Sequence, residues 1–175
     1  MDNSFFAYLQ QLELMAFFSG YPLLYTLVFY LNGFSKSTTR KQQVLALLPR
    51  AYGLVGILYL GLQLRNLYPN YSVENIRQTT EQPLLMIWGI LAILFWVPAL
   101  SRKHILSLLH SLVFFLLLAK DLFLHSISSR SDTTAIKTEM KIYTDSLLLN
   151  TGCFIFLLAL YAVFIFIRLR RNRHL

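Results

Sequence analysis

Apolar residues in this chain come in blocks about as long as a bilayer is thick, with short polar stretches between them. A helix crossing a hydrocarbon core needs ~20 consecutive, mostly apolar residues. Blocks of that size lie at about 14–34, 44–64, 83–100, 105–124 and 146–167. Only 14% of the residues are charged, against about a quarter in a soluble domain. Such a chain has too little polar surface to cover itself in water. The expected fold is therefore all-α: a single polytopic membrane domain, built as a compact bundle of five transmembrane helices.

The shortest connection is SRKH, between the third and fourth blocks. Pro98 ends one helix there and Ser101-Arg102-Lys103 makes a polar turn, which predicts an antiparallel hairpin and not one long helix. Two acidic residues occupy the N-terminal region, where a signal peptide would be basic, and no small-residue cleavage site follows. The first block is accordingly expected to stay in the mature protein.

Lys and Arg set the orientation. Nine basic residues (Lys36, Arg40, Lys41, Arg102, Lys103, Arg168, Arg170, Arg171 and Arg173) lie in the first, third and C-terminal connections. Five (Arg65, Arg77, Arg130, Lys137 and Lys141) lie in the second and fourth. Five crossings then run N-out and C-in. On the outer side, Ile136, Met140 and Tyr143 recur at helical spacing, which predicts a short amphipathic surface helix before the last span. Phe5, Phe6 and Leu9 suggest a similar arrangement before the first.

The net charge of +8 raises the question of nucleic acid. The basic residues follow membrane topology, and no RNA-recognition, zinc-finger or basic-helix pattern accompanies them, so no nucleic-acid partner is expected. Cys153, the only cysteine, excludes an intrachain disulfide or a cysteine-rich metal site. Walker A, HExxH and GxSxG motifs are absent. No catalytic residue, metal or cofactor is assigned.

Ionisable residues inside the fourth block mark the candidate site. In FFLLLAKDLFLH, Lys120 and Asp121 are neighbours, so about 100° separates them around a helix. With His110 at zero, Asp121 falls near 20°, Ser107 and His125 near 60°, and Lys120 near −80°. The stripe Ser107/His110/Asp121/His125 is expected to turn into the bundle and Lys120 to reach outward along its stem. Intramembrane ionisable residues are candidate functional groups. Asp121, His125, His110, Arg65, Tyr21 and Asn150 form the candidate ligand-binding set, near the outer leaflet. The alternative is a polar cluster that only holds helices together. Arg50, Arg168, Arg170, Arg171 and Arg173 are candidates for lipid-headgroup contact; Arg50 lies inside the second block and can snorkel.

The functional expectation is a non-enzymatic integral membrane protein, an accessory or scaffold subunit packing with a protein partner or with copies of itself. A small transporter, channel subunit or lipid-binding protein is the alternative, and an intramembrane enzyme a second one. The partners expected are the lipid bilayer and one of these assemblies. The location expected is the cell membrane, with the bacterial inner membrane as default.

Overall fold

The computed structural model describes residues 3–33, 38–69, 71, 83–127 and 133–172. All regular elements among them are helical: α1 (Asn3–Phe18), α2 (Tyr21–Gly33), α3 (Thr38–Leu67), α4 (Pro83–Leu91), the 3₁₀ helix η1 (Ala92–Trp96), α5 (Pro98–Ser101), α6 (His104–Ile127) and α7 (Thr133–Asn172). Four stretches are long and apolar enough to cross a membrane: Gln11–Leu31, Gln42–Leu67, His104–Leu124 and Lys137–Arg168. The third sequence block is shorter as a helix, Pro83–Trp96.

α1 and α2 together form one candidate span with a step at Ser19-Gly20. Pro22 has no N–H to offer the Phe18 carbonyl, which loosens the ladder at that turn. Backbone bonds resume on either side, from Ser19 N to Met15 O (3.0 Å) and from Leu24 N to Gly20 O (3.1 Å). The step coincides with a close helix crossing. A Cβ on Gly20 would lie 2.4 Å from the backbone nitrogen of Leu147 on α7. The Gly20 N–H donates to Ser146 Oγ at 2.8 Å, tying the two helices together.

The α1–α2 crossing is antiparallel to α3. Glu13 meets Gln63, Phe17 meets Tyr59 and Tyr21 meets Tyr52, so the numbers rise on one helix as they fall on the other. It is antiparallel to α6 by the same logic, through Gln11–Asp121, Tyr21–Ser107 and Tyr25–His104. Between α3 and α6 runs the α4–η1–α5 segment. Its close approach to α3 rests on glycine: a Cβ on Gly53 or Gly56 would come within 2.9 Å of the η1 backbone. Val97 is extended (φ −68°, ψ 130°), as the residue before a proline tends to be, and this separates η1 from α5. The chain turns at Arg102-Lys103 into α6, whose His110 packs against Trp88 of α4 and Phe95 of η1.

The core is aromatic. Phe18, Tyr21, Tyr52, Tyr59 and Phe114 are fully buried and in mutual ring contact, with Phe18 stacked on Phe114 at 5.0 Å. Within lipid, shape-matched packing replaces the hydrophobic drive between helices, and large flat rings supply contact area with few rotors to fix.

Two expectations need correction. The surface helix at Ile136–Tyr143 is not a separate element but the opening turns of α7, which continues to Asn172. No glycine or proline interrupts residues 133–151, so nothing ends the helix at the span boundary. Its inward residue in this region is Glu139, 1% exposed, whereas Met140 faces out. Phe5, Phe6 and Leu9 likewise belong to α1, continuous with the first crossing; their side chains lie outside the described residues.

Candidate functional site

The polar residues of α6 occupy two depths. Toward its N-terminal end, a ladder of hydroxyls and imidazoles joins α6 to its neighbours. Tyr25 OH pairs with His104 Nδ1 at 2.6 Å, Tyr21 OH with Ser107 Oγ at 2.7 Å, and Tyr52 OH with His110 Nδ1 at 2.7 Å. Donor roles follow from elimination. Ser107 has one hydroxyl hydrogen and gives it to the His104 carbonyl (2.7 Å), so Tyr21 donates to Ser107. His110 Nε2 lies 2.8 Å from the Trp88 carbonyl, which only accepts. That nitrogen therefore carries the hydrogen, and Nδ1 accepts from Tyr52.

Trp88 returns the bond, its indole Nε1–H donating to the His110 carbonyl at 3.3 Å. The two rings stack with centroids 4.7 Å apart and planes 6° from parallel. This reciprocal contact locks α4 to α6, with Tyr52 of α3 as the third member. Both nitrogens of His110 are thereby engaged.

Near the other end of α6, about 16 Å along the axis from His110 by the helical rise, Asp121 Oδ2 accepts from Gln11 Nε2 at 3.1 Å. Lys120 is exposed. Other polar contacts join helices near this level: Gln63 Nε2 donates to Glu13 Oε2 at 3.4 Å, and Tyr143 OH donates to the Phe115 carbonyl at 3.2 Å.

The candidate set is thus divided and not gathered. Tyr21 and His110 belong to the ladder, and Asp121 to the far end of α6. Asn150 belongs to a third place, the α1–α7 crossing, where its Nδ2 donates to the carbonyls of Phe17 and Ser146, both at 2.8 Å. Two carbonyl acceptors fix the orientation of that amide; its Oδ1 and the neighbouring Ser19 Oγ are buried without a hydrogen-bond partner. Arg65 is exposed near the end of α3. His125 lies on α6, with its side chain outside the described residues. Arg50, Arg168 and Arg170 are exposed. The side chain of Arg171 and the whole of Arg173 lie outside the described residues.

Sequence reasoning missed Tyr25, Tyr52, Trp88 and Gln11, the partners that decide what the α6 residues do. One signal was present: tyrosine recurs within blocks one and two, where a membrane helix would otherwise use leucine or phenylalanine. A buried tyrosine hydroxyl needs a partner. Among the described residues no three His, Cys, Asp or Glu side chains group so as to hold a metal ion.

Taken together, the fold is that of a helical bundle with candidate membrane spans, in which Tyr21, Tyr52, Ser107, His110, Ser146 and Asn150 are buried in interhelical hydrogen bonds. Comparison with protein-family models, with curated proteins and with solved structures gave no match in any of the three.

Proposed function

We propose that this chain is a non-enzymatic membrane component, a small accessory or scaffold subunit that assembles with a protein partner or with copies of itself. One observation carries this reading: among the described side chains of α6, His104, Ser107, His110 and Asp121 each hydrogen-bond a neighbouring helix. Interhelical hydrogen bonds of this kind act as glue, worth about 0.6 kcal/mol each on average in membrane proteins and at most about 1.7. The orientation that accompanies the proposal is five crossings, N-out and C-in, with the α4–η1–α5 segment as the third.

Affinity purification from native membranes in mild detergent tests it. A stoichiometric protein partner, or a discrete homo-oligomer by mass, is the expected result. A monodisperse monomer that carries no partner, and that moves or binds a polar solute when reconstituted, would replace this reading with the transporter alternative.

A further inference from the structure

Between α3 and α7 an apolar cavity of about 490 Å³ opens to the outside of the bundle. Leu54 and Leu58 of α3 form one wall, and Leu148, Gly152 and Phe156 of α7 the other. Its rims are not shielded by other elements: Leu58 is 45%, Leu148 65% and Phe156 55% exposed. Gly152 leaves room in the groove: a Cβ there would meet nothing within 4 Å. Glycine in a helix interior costs roughly 0.5–1 kcal/mol relative to alanine, and no close helix crossing repays it here, unlike at Gly20.

A charge stands in line with this groove. Arg50, Leu54 and Leu58 follow at four-residue steps on α3, within an arc of about 80°. Arg50 is exposed, although it lies within the stretch Gln42–Leu67 that is apolar enough to cross a membrane. Helix side chains lean toward the N-terminus, so its guanidinium projects away from Leu54 toward the N-terminal end of α3. The result is an apolar slot with a cation below it, one turn away.

The geometry points to a binding site for an anionic phospholipid, with the phosphate on Arg50 and an acyl chain in the groove between α3 and α7. Charge complementarity selects this occupant over a partner helix. A guanidinium matches a phosphate with two parallel N–H donors, whereas an apolar helix laid in the slot would leave Arg50 without a counter-charge. Because α3 supplies both the cation and one wall, headgroup and chain are bound by one rigid element.

Native mass spectrometry of the purified chain, stripped of lipid in a neutral detergent, reads this site directly. Phosphatidylglycerol and phosphatidylcholine with identical acyl chains are the two probes. One basic contact near a headgroup corresponds to about a fivefold preference for the anionic lipid, which wild type should show. Arg50→Gln should abolish the preference while leaving phosphatidylcholine binding unchanged, and Arg50→Lys should keep part of it. Gly152→Leu, which fills the slot, should weaken both lipids alike. Both positions are exposed, and gel filtration with circular dichroism checks that the variants fold.

Equal binding of the two lipids by wild type, or a preference that survives Arg50→Gln, overturns the proposal. So does efficient disulfide dimerisation of Leu148→Cys in a Cys153→Ser background in native membranes, which places a second copy over the groove. The measurement uses the isolated chain, so its outcome is separate from whether a protein partner exists.

Discussion

At the scale of single residues, the ladder along α6 makes a sharp prediction. Tyr52→Phe removes a hydroxyl and nothing else, leaving His110 Nδ1 as a buried acceptor without its donor. The expected loss is about 0.6–1.7 kcal/mol, from the average to the largest value for hydrogen bonds between membrane helices. A double-mutant cycle with His110→Phe, followed by unfolding in mixed micelles, should return most of that as coupling energy. Strict additivity would mean that the pair stabilises nothing. A second contrast concerns the charged neighbours. Asp121→Ala removes the acceptor of the Gln11 Nε2 bond and should cost about 1 kcal/mol, whereas Asp121→Asn keeps an acceptor oxygen and should cost less. Lys120→Gln, at an exposed position, should stay within about 0.5 kcal/mol of wild type. If Lys120→Gln proves the most damaging of the three, the placement of both residues is wrong. The helical phase of α6 alone places Asp121 toward the bundle and Lys120 away from it, and this much was legible in the sequence. What was not legible is that His110 and Asp121 serve different neighbours. Angular position around a helix says nothing about which turn of another helix lies opposite, and that second coordinate decides whether polar residues form one site or several contacts.

At the scale of elements, glycine separates helices that must touch from helices that need not. Gly20→Ala places a methyl group 2.4 Å from the α7 backbone, where no side-chain rotation relieves it. Overpacking ordinarily costs roughly 1–3 kcal/mol, and this case should lie at or beyond the upper end because backbone has to move. Gly61→Ala meets nothing within 4 Å and should be neutral, or stabilising by up to about 1 kcal/mol through helix propensity. Thermal or detergent-induced unfolding of the two variants side by side checks this; similar effects of both would refute the close α1–α7 crossing. The sequence presents these glycines as equals, because spacing shows where small residues fall but not what approaches them. The opening of α7 was misread for a related reason. Ile136, Met140 and Tyr143 show the same periodicity whether a helix lies on a membrane or extends out of a span. The informative feature was the absence of any breaker between Thr133 and Thr151. One continuous helix predicts that amides 138–145 are protected from hydrogen exchange, with no fast-exchanging gap before Ser146. Complete exchange of 142–146 within seconds would restore two separate helices.

At the scale of the whole molecule, everything turns on whether the polypeptide crosses the bilayer an even or an odd number of times, and that parity rests on the α4–η1–α5 segment. Nine α-helical residues followed by five 3₁₀ residues rise about 13 Å and 10 Å. The last turn at α5 adds about 6 Å, bringing the total close to a hydrocarbon core of about 30 Å. Length alone leaves that segment marginal, but its neighbours give it a direction. Gly89 lies against Tyr59, Gly56 against Ile93 and Gly53 against Trp96, so the segment descends steadily beside α3 and does not double back. It then delivers Arg102 and Lys103 to the end of the bundle near His104 and Tyr25. The same end carries the close of α2 and the start of α3, which places the basic first connection and the SRKH turn on one side. The orientation we propose, five crossings with an external N-terminus, follows if the membrane collects Lys and Arg on its cytoplasmic face. Single cysteines in a Cys153→Ser background, probed in intact cells with a maleimide that does not cross membranes, test this prediction. Ser4→Cys should react from outside, while Lys103→Cys and Asn172→Cys should react only after permeabilisation. With four crossings, Ser4→Cys and Asn172→Cys would instead report the same side. The α4–η1–α5 segment would then be a wedge re-entering the side it came from, and Arg102 and Lys103 would have to react from that side too.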